Sequence, residues 1–318
     1  MAKKAEYNEL GFGTKTSSQK KRLINADGTF NINRTGQSLW SSTSIYHTLI
    51  SMPWRRFHLI VVSYFLIINV IFAFCYCIVG IDGIRGVEAV SATDKFLEAF
   101  FFSTQTISTV GFGRLSPGSH SASIIAAIES LLGLLGFAVV TGLIYGRFSR
   151  PKVNIIFSKK ALIAPFKNDT AFQFRIANKM RNSQITDIEA RVTVAKFEIE
   201  NGVQVRRFRP LELELKKIIF FPMTWTINHP INEDSPLYGM TMEDMKEADA
   251  EFLILLSGFD DTFSQTVSTR FSYTYEELEW GAKFISVFGQ NKDGLITQDI
   301  GKLSEFEKVK TEVAAETH

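Results

Sequence analysis

The sequence predicts a chain in two parts: an α-helical membrane part whose two spans bracket a re-entrant helix and loop, then an all-β sandwich domain. Three observations predict it. Residues 57–79 hold no Asp, Glu, Lys or Arg, a run long enough to cross ~30 Å of hydrocarbon. Residues 123–146 form a second such run, with Glu129 as its one charge. From about residue 153 the pattern changes to short alternating stretches broken by turn residues, the signature of many short strands in a sandwich. At 318 residues the chain has room for both parts.

Between the spans lies Thr109-Val110-Gly111-Phe112-Gly113. It differs by one hydroxyl from T-V-G-Y-G, the loop whose carbonyl oxygens replace the hydration shell of potassium. Glycines at alternate positions reach φ > 0 without a Cβ penalty, so Gly111 and Gly113 let carbonyls line a path, and the Thr109 hydroxyl adds a further oxygen. Taken alone, five such residues read most simply as a glycine-rich turn. Their context changes that reading. Thr93-Asp94 marks a helix start with an acid in the first turn, and residues 94–106 then run without Gly or Pro. This is about the length of a pore helix, and its C-terminal dipole end would point at a cavity cation.

Residues 1–39 are polar and basic and read as a mobile cytoplasmic tail, with no apolar core of a cleaved leader. Trp40, Ile45, Tyr46, Leu49, Ile50 and Met52 share one face of a short interfacial helix, and residues 40–56 form this helix and the membrane anchor. Trp54, Arg55 and Arg56 sit at the boundary. Lys and Arg crowd residues 1–56 and recur at Arg147, Arg150 and Lys152, so both termini are cytoplasmic. Irregular backbone at membrane depth is tolerated where it lines water. One chain cannot enclose such a pore, so a closed ring is expected, most simply a homotetramer. The pore domain spans residues 57–152.

Glu129 is an intramembrane carboxylate, functional by default. With Glu98 it is a candidate support for the loop; the competing reading is a structural group satisfied by partners. Gly133, Gly136, Gly142 and Gly146 read as packing positions. Phe137 and Tyr145 are eight apart, within about 80° on a helix, and would make hydrophobic constrictions if that face lines a pore. Strands are expected near 154–157, 161–164, 172–177, 189–199, 206–215, 223–227, 252–256, 266–275 and 283–288. The domain runs over 153–302, and 303–318 reads as a frayed tail. Cys75 and Cys77 face different ways on a helix, and the histidines are scattered. No metal, cofactor or enzyme constellation emerges, and a net charge of +2 argues against a nucleic-acid partner.

Over roughly residues 40–300 the chain resembles prokaryotic inward-rectifier potassium channels of the KirBac type. The resemblance rests on Thr109–Gly113, the run Gly142-Leu-Ile-Tyr-Gly-Arg-Phe-Ser-Arg-Pro-Lys152, Phe157-Ser158, Trp225-Thr-Ile-Asn-His-Pro-Ile231, Asp234-Ser-Pro-Leu-Tyr238 and Glu279-Trp-Gly281. It implies an integral protein of the bacterial inner membrane, with a tetrameric pore continued through immunoglobulin-like cytoplasmic domains. It implies gates at Phe137, at Tyr145 and at a cytoplasmic constriction matching Gly258, Phe259, Asp260, Asp261, Thr262, Phe263 and Ser264. Arg270 matches a family arginine that braces that constriction.

Three departures stand out. Phe112 replaces the commoner tyrosine. Gln105 stands where eukaryotic members carry a glutamate. Phe137 stands where strong rectifiers carry an acid, so weak rectification is expected. Arg55, Arg56, Arg147, Arg150 and Lys152 are candidate contacts for anionic lipid headgroups. The expected function is passive potassium conduction, with permeant K+ and membrane lipid as partners. The alternatives are a non-selective cation channel and a membrane-anchored sensor with a non-conducting pore.

Overall fold

The computed structural model describes residues 22–25, 27–31, 44–150, 154–167, 169–179, 185–200, 202–291 and 293–309. The chain forms two compact units, Thr35–Arg150 and Met1–Arg34 with Pro151–His318.

In the first unit a short helix α1 (Ile45–Ser51) precedes α2 (Trp54–Val79), with Pro53 at the N-cap of the latter. Helices α2 and α4 (His120–Phe148) are long and apolar enough to cross a membrane, and each outruns the expected span by a few residues at both ends or at its start. Gly80, with φ 108°, ends α2. Helix α3 (Ala92–Ile107) is the expected re-entrant helix. It starts slightly earlier than Thr93-Asp94 suggests, because Ser91 caps it. The Ser91 hydroxyl accepts from the Asp94 amide, and the Asp94 carboxylate accepts from the Ser91 amide, a reciprocal capping box. Short strands β1 (Ile84–Arg85) and β2 (Ser116–Pro117) pair antiparallel and tie the loop before α3 to the chain after it.

The second unit is a sandwich. One sheet has the order β11-β10-β6-β7, with β8 on β6; the other has β12-β4-β5-β3, with β9 on β5. Their ranges are β3 Ile155–Phe157, β4 Ala161–Phe166, β5 Asp169–Asn178, β6 Ile185–Glu200, β7 Val203–Leu211, β8 Lys217–Phe220, β9 Thr224–Ile231, β10 Glu251–Asp260, β11 Gln265–Thr274 and β12 Leu278–Trp280. Strand alternation builds the core: Phe172, Phe174 and Ile176 of β5 meet Ile188, Ala190, Val192 and Val194 of β6 and Phe252, Ile254 and Leu256 of β10. The Phe172 and Phe252 rings stack across the gap at 4.3 Å. Helix α5 (Met242–Glu247), with Met245 buried, and strand β8 carry no strong sequence signal and were not anticipated.

Three expectations need correction. The run 283–288 is two strands rather than one, β13 (Ala282–Phe284) and β14 (Phe288–Gln290). Strand β14 pairs with β15 (Ile296–Gln298). The supposed tail from 303 belongs to the domain: Leu303 is buried, and β16 (Phe306–Lys308) pairs with β13. Residues 310–318 lie outside the described residues.

The third correction concerns the N-terminus. Residues 22–25 and 27–31 are not a free tail; they form a small hairpin on the sheet that holds β10. Ile24 is 4% exposed and packs with Ala195, Phe208 and Leu253. The buried Glu251 carboxylate accepts from the Leu23 amide at 2.8 Å and the Ile24 amide at 3.2 Å, and pairs with Arg206 at 3.1 Å. Arg22 donates to the Ser272 hydroxyl and to Glu277. Polar composition suggested a loose segment because the partners lie far off in sequence, Glu251 being 228 residues from Leu23. The rest of residues 1–39 lies outside the described residues.

The Asp234–Tyr238 motif is structural. His229 Nδ1 donates to the Glu212 carbonyl at 2.6 Å, which leaves Nε2 to accept from the Ser235 hydroxyl at 2.7 Å. Ser235 Oγ in turn accepts from the Leu237 amide. Burial holds His229 below the ordinary histidine pKa. The unfolded chain therefore takes up the extra proton first as pH falls, so stability from neutral His229 is fully present above about pH 6.5 and is lost as pH drops below it. We expect His229→Gln to cost about 1–3 kcal/mol at pH 7.5. It should also flatten the fall in unfolding temperature between pH 7.5 and pH 5, read by differential scanning calorimetry of the full chain.

Candidate functional site: the glycine loop and its supports

The loop at 109–113 follows the last turn of α3, and its conformation alternates. Thr109, Gly111 and Gly113 have φ of 59°, 57° and 90°, all left-handed. Two are glycines, for which this is free. Thr109 is not, and holding it there costs on the order of 1–2 kcal/mol. The compensation is visible in the hydrogen bonds. Thr109 N–H donates to the Thr106 carbonyl at 3.1 Å, and Val110 N–H and Gly111 N–H both donate to the Gln105 carbonyl at 3.0 and 3.4 Å. Phe112 N–H donates to Gln105 Oε1 at 3.1 Å. Four consecutive amides thus turn toward the end of α3. Among the described residues no donor reaches the carbonyl oxygens of Thr109–Phe112.

Gln105 is the residue that sequence reasoning undervalued. It stood out only as a departure from a glutamate, yet its carbonyl and side chain together hold three of those amides. The C-cap Ser108 N–H bonds back to Thr104, so the helix closes in an orderly way before the chain reverses.

Behind the loop, Glu129 of α4 is fully buried. Tyr76 of α2 donates to its Oε2 at 2.6 Å, and Ser103 of α3 donates to its Oε1. Ser103 Oγ also lies 2.9 Å from Asn69 Oδ1, while Asn69 Nδ2 donates to the Phe65 carbonyl at 2.6 Å. One carboxylate therefore joins three helices. Its hydroxyl partners, Tyr76 and Ser103, were not singled out, although a lone acid in an apolar span requires such donors on facing helices. One turn further along, Gly133 lets α4 reach the end of α3: a Cβ there would sit 2.3 Å from the Ile107 carbonyl oxygen. Gly146 similarly admits the Tyr46 hydroxyl of α1. Both are packing glycines. Gly142 has open space around it.

Glu98, the other candidate support, pairs with Arg114 at 2.6 Å. Arg114 immediately follows the loop and also donates to the Gly86 carbonyl at 3.2 Å.

The candidate gate residues Phe137 and Tyr145 are 75% and 73% exposed on α4. The stretch 258–264 is less of a loop than expected. Gly258–Asp260 continue β10, and only the tip turns. Gly258 lies so close to β6 that a Cβ would meet Ile188 at 2.8 Å and Ile185 at 2.9 Å. Asp260 is buried, and its Oδ1 accepts from the Thr262 and Phe263 amides at 2.9 and 3.2 Å. Asp261 accepts from Thr186 at 3.4 Å, and Ser264 takes φ 50°. Phe259 and Phe263 remain partly exposed at the tip. Asp260 thus serves the turn rather than Arg270, whose guanidinium lies 4.7 Å over the Phe30 ring of the N-terminal hairpin.

The basic residues separate. Arg55 and Arg56 are exposed. Arg147 donates to the Leu49 and Met52 carbonyls at 2.6 and 2.7 Å and lies against the Trp54 and Phe57 rings. It caps α1 from the end of α4. Arg150 donates to Ser51 Oγ at 2.9 Å. Lys152 lies outside the described residues.

Comparison with known proteins follows the same division. The family described as inward rectifier potassium channel C-terminal domain matches residues 155–318, and the family described as ion channel matches residues 59–150. The inward rectifier potassium channel Kirbac3.1 of Paramagnetospirillum magnetotacticum is 36% identical over 296 residues, covering 92% of this chain and 98% of the relative. The human and mouse proteins named ATP-sensitive inward rectifier potassium channel 8 are 27% and 26% identical, covering 88% and 86% of this chain and 71% and 69% of theirs.

Glu129→Ala would strand the Tyr76 and Ser103 hydroxyls in a buried site. We expect a loss of about 2–3 kcal/mol, read as a lower unfolding temperature in detergent, with Glu129→Gln, which keeps one acceptor, losing less.

Proposed function

Because this chain belongs to the inward-rectifier potassium channel family, we propose that it conducts potassium passively across a bacterial inner membrane as a ring of four identical copies. The family is one of ion channels, not of enzymes. The observation that carries the proposal is the set of amides at Thr109–Phe112 turned onto α3, which leaves the carbonyl oxygens of the same residues for ions. Val110 and Phe112 are 54% and 83% exposed in the single chain, as suits a surface closed by further copies.

Carbonyls of residues 109–112 take the place of water around potassium, and neighbouring ions push one another forward. Glu129 and Glu98 support the loop from behind and from its exit. Phe137 and Tyr145 on each inner helix narrow the path by dewetting, and the tip around Gly258–Ser264 narrows it again. Rectification is weak, since Phe137 offers no charge to hold a blocking cation. Anionic lipid acts on the channel through Arg55, Arg56, Arg150 and Lys152, each worth about 1 kcal/mol near a charged surface. Arg147 contributes instead by tying α1 to α4, so a shift of one helix end carries the other. Both termini lie in the cytoplasm, a reading that the density of Lys and Arg at both ends of the membrane unit supports. No cofactor beyond the permeant ion is involved.

Flux through purified protein in liposomes containing anionic lipid tests this. We expect barium-sensitive potassium and rubidium uptake with little sodium uptake. Gln105→Leu, which removes the acceptor for Phe112 N–H, should lower the potassium-over-sodium ratio by about tenfold. Tyr145→Ala should raise flux. Equal sodium uptake by the unaltered chain would make it a non-selective cation channel, and absence of flux from both the unaltered chain and Tyr145→Ala would favour a non-conducting sensor.

A further inference from the structure

A fixed positive charge stands at the C-terminal end of the glycine loop. Arg114 follows Gly113 directly, and its side chain is 55% exposed. It has little freedom. Its backbone is pressed against Gly86, where a Cβ would sit 1.9 Å from the Arg114 carbonyl oxygen, and Gly86 itself has φ 84°. Pairing of Ile84 with Pro117 and of Arg85 with Ser116 fixes the chain on either side, and the Gly118 and Ser119 amides both donate to the Gly83 carbonyl. The guanidinium is then held by the Gly86 carbonyl at 3.2 Å and by Glu98 at 2.6 Å. Glu98 lies two turns before Gln105 on α3, and its side chain is only 20% exposed. Glu88 acts on Arg114 from farther away, and Arg85 packs beside Gly118.

A cation about to enter the loop meets one Arg114 from every copy in the ring. Unpaired, these charges repel potassium, and a divalent ion twice as strongly. We propose that Glu98 sets the charge of this entrance: bound to Arg114, it keeps the ring of arginines neutral and thereby controls cation entry. The role is electrostatic and additional to any mechanical bracing. It rests on the channel reading above, and a wild-type protein without barium-sensitive potassium current would sink that reading before any variant is compared.

Bilayer recordings with barium added to each bath in turn separate the cases. At an ionic strength of about 20 mM, where screening is weak, Glu98→Gln should raise the half-blocking barium concentration on one side by tenfold or more. It should also lower potassium current toward the loop. Arg114→Gln should shift the half-blocking concentration the opposite way, and the double variant should return close to wild type. At about 0.5 M salt the shifts should shrink to within about twofold. The proposal is overturned if the two single variants shift block in the same direction, if the double variant stays as displaced as Glu98→Gln, or if the shifts survive high salt. Those are the marks of a brace alone. Should a single variant fail to assemble, the wild type still decides: a neutral entrance predicts nearly salt-independent barium block on that side, and block that tightens steeply as salt screens a positive ring contradicts it.

Discussion

Backbone polarity is the constraint on which the membrane unit depends. A chain segment at membrane depth must place every amide and every carbonyl somewhere. In the glycine loop the amides go to one place, the end of α3, with Gln105 receiving Val110 and Gly111 through its carbonyl and Phe112 through its side chain. Among the described residues, no donor reaches the carbonyls of the same residues. That asymmetry sets the loop apart from an ordinary turn, and it requires the left-handed φ at Thr109, Gly111 and Gly113. The strain at Thr109 persists because the surrounding contacts over-determine it.

The supports behind the loop obey the same rule in side chains. A carboxylate at membrane depth has no water to satisfy it, so Glu129 draws a hydroxyl from each of two other helices. The helices are thereby fixed in register as well as packed, and Gly133 sets how near α4 comes to the end of α3. On the exit side, Gly86, Glu98 and Arg114 join the preceding loop, the helix and the chain leaving the glycine loop. Held at the helix end, from behind and at the exit, the loop keeps a shape its own residues resist.

Elsewhere, charged residues that composition presents as surface charges turn out to fasten segments together. Arg147 caps α1 through two carbonyls and lies on two aromatic rings, a role a lysine fills poorly because it lacks the planar fork. Glu251 accepts two amides of the N-terminal hairpin and pairs with Arg206 in the core of the sheet. The hairpin also brings Phe30 beneath Arg270, on the strand that leaves the tip at 261–264. A segment preceding the membrane helices in sequence is in this way part of the β domain.

The sequence by itself determined what depends on local pattern. Length and hydropathy specify the two spans; alternation specifies most strands of the sandwich; Gly111 and Gly113 specify the loop, because only certain residues tolerate its backbone. Glu129 and Glu98 were legible as isolated charges in apolar or helical settings. Their partners were not, since Tyr76, Ser103 and Arg114 become neighbours only when α2, α3 and α4 are assembled. The assignment of Asp260 to its own turn, of Arg147 to α1 and of residues 22–31 to the sheet was likewise decided by tertiary structure. A side chain's choice between solvent, lipid and another segment rests on distances between elements far apart in the chain, and no local period encodes those.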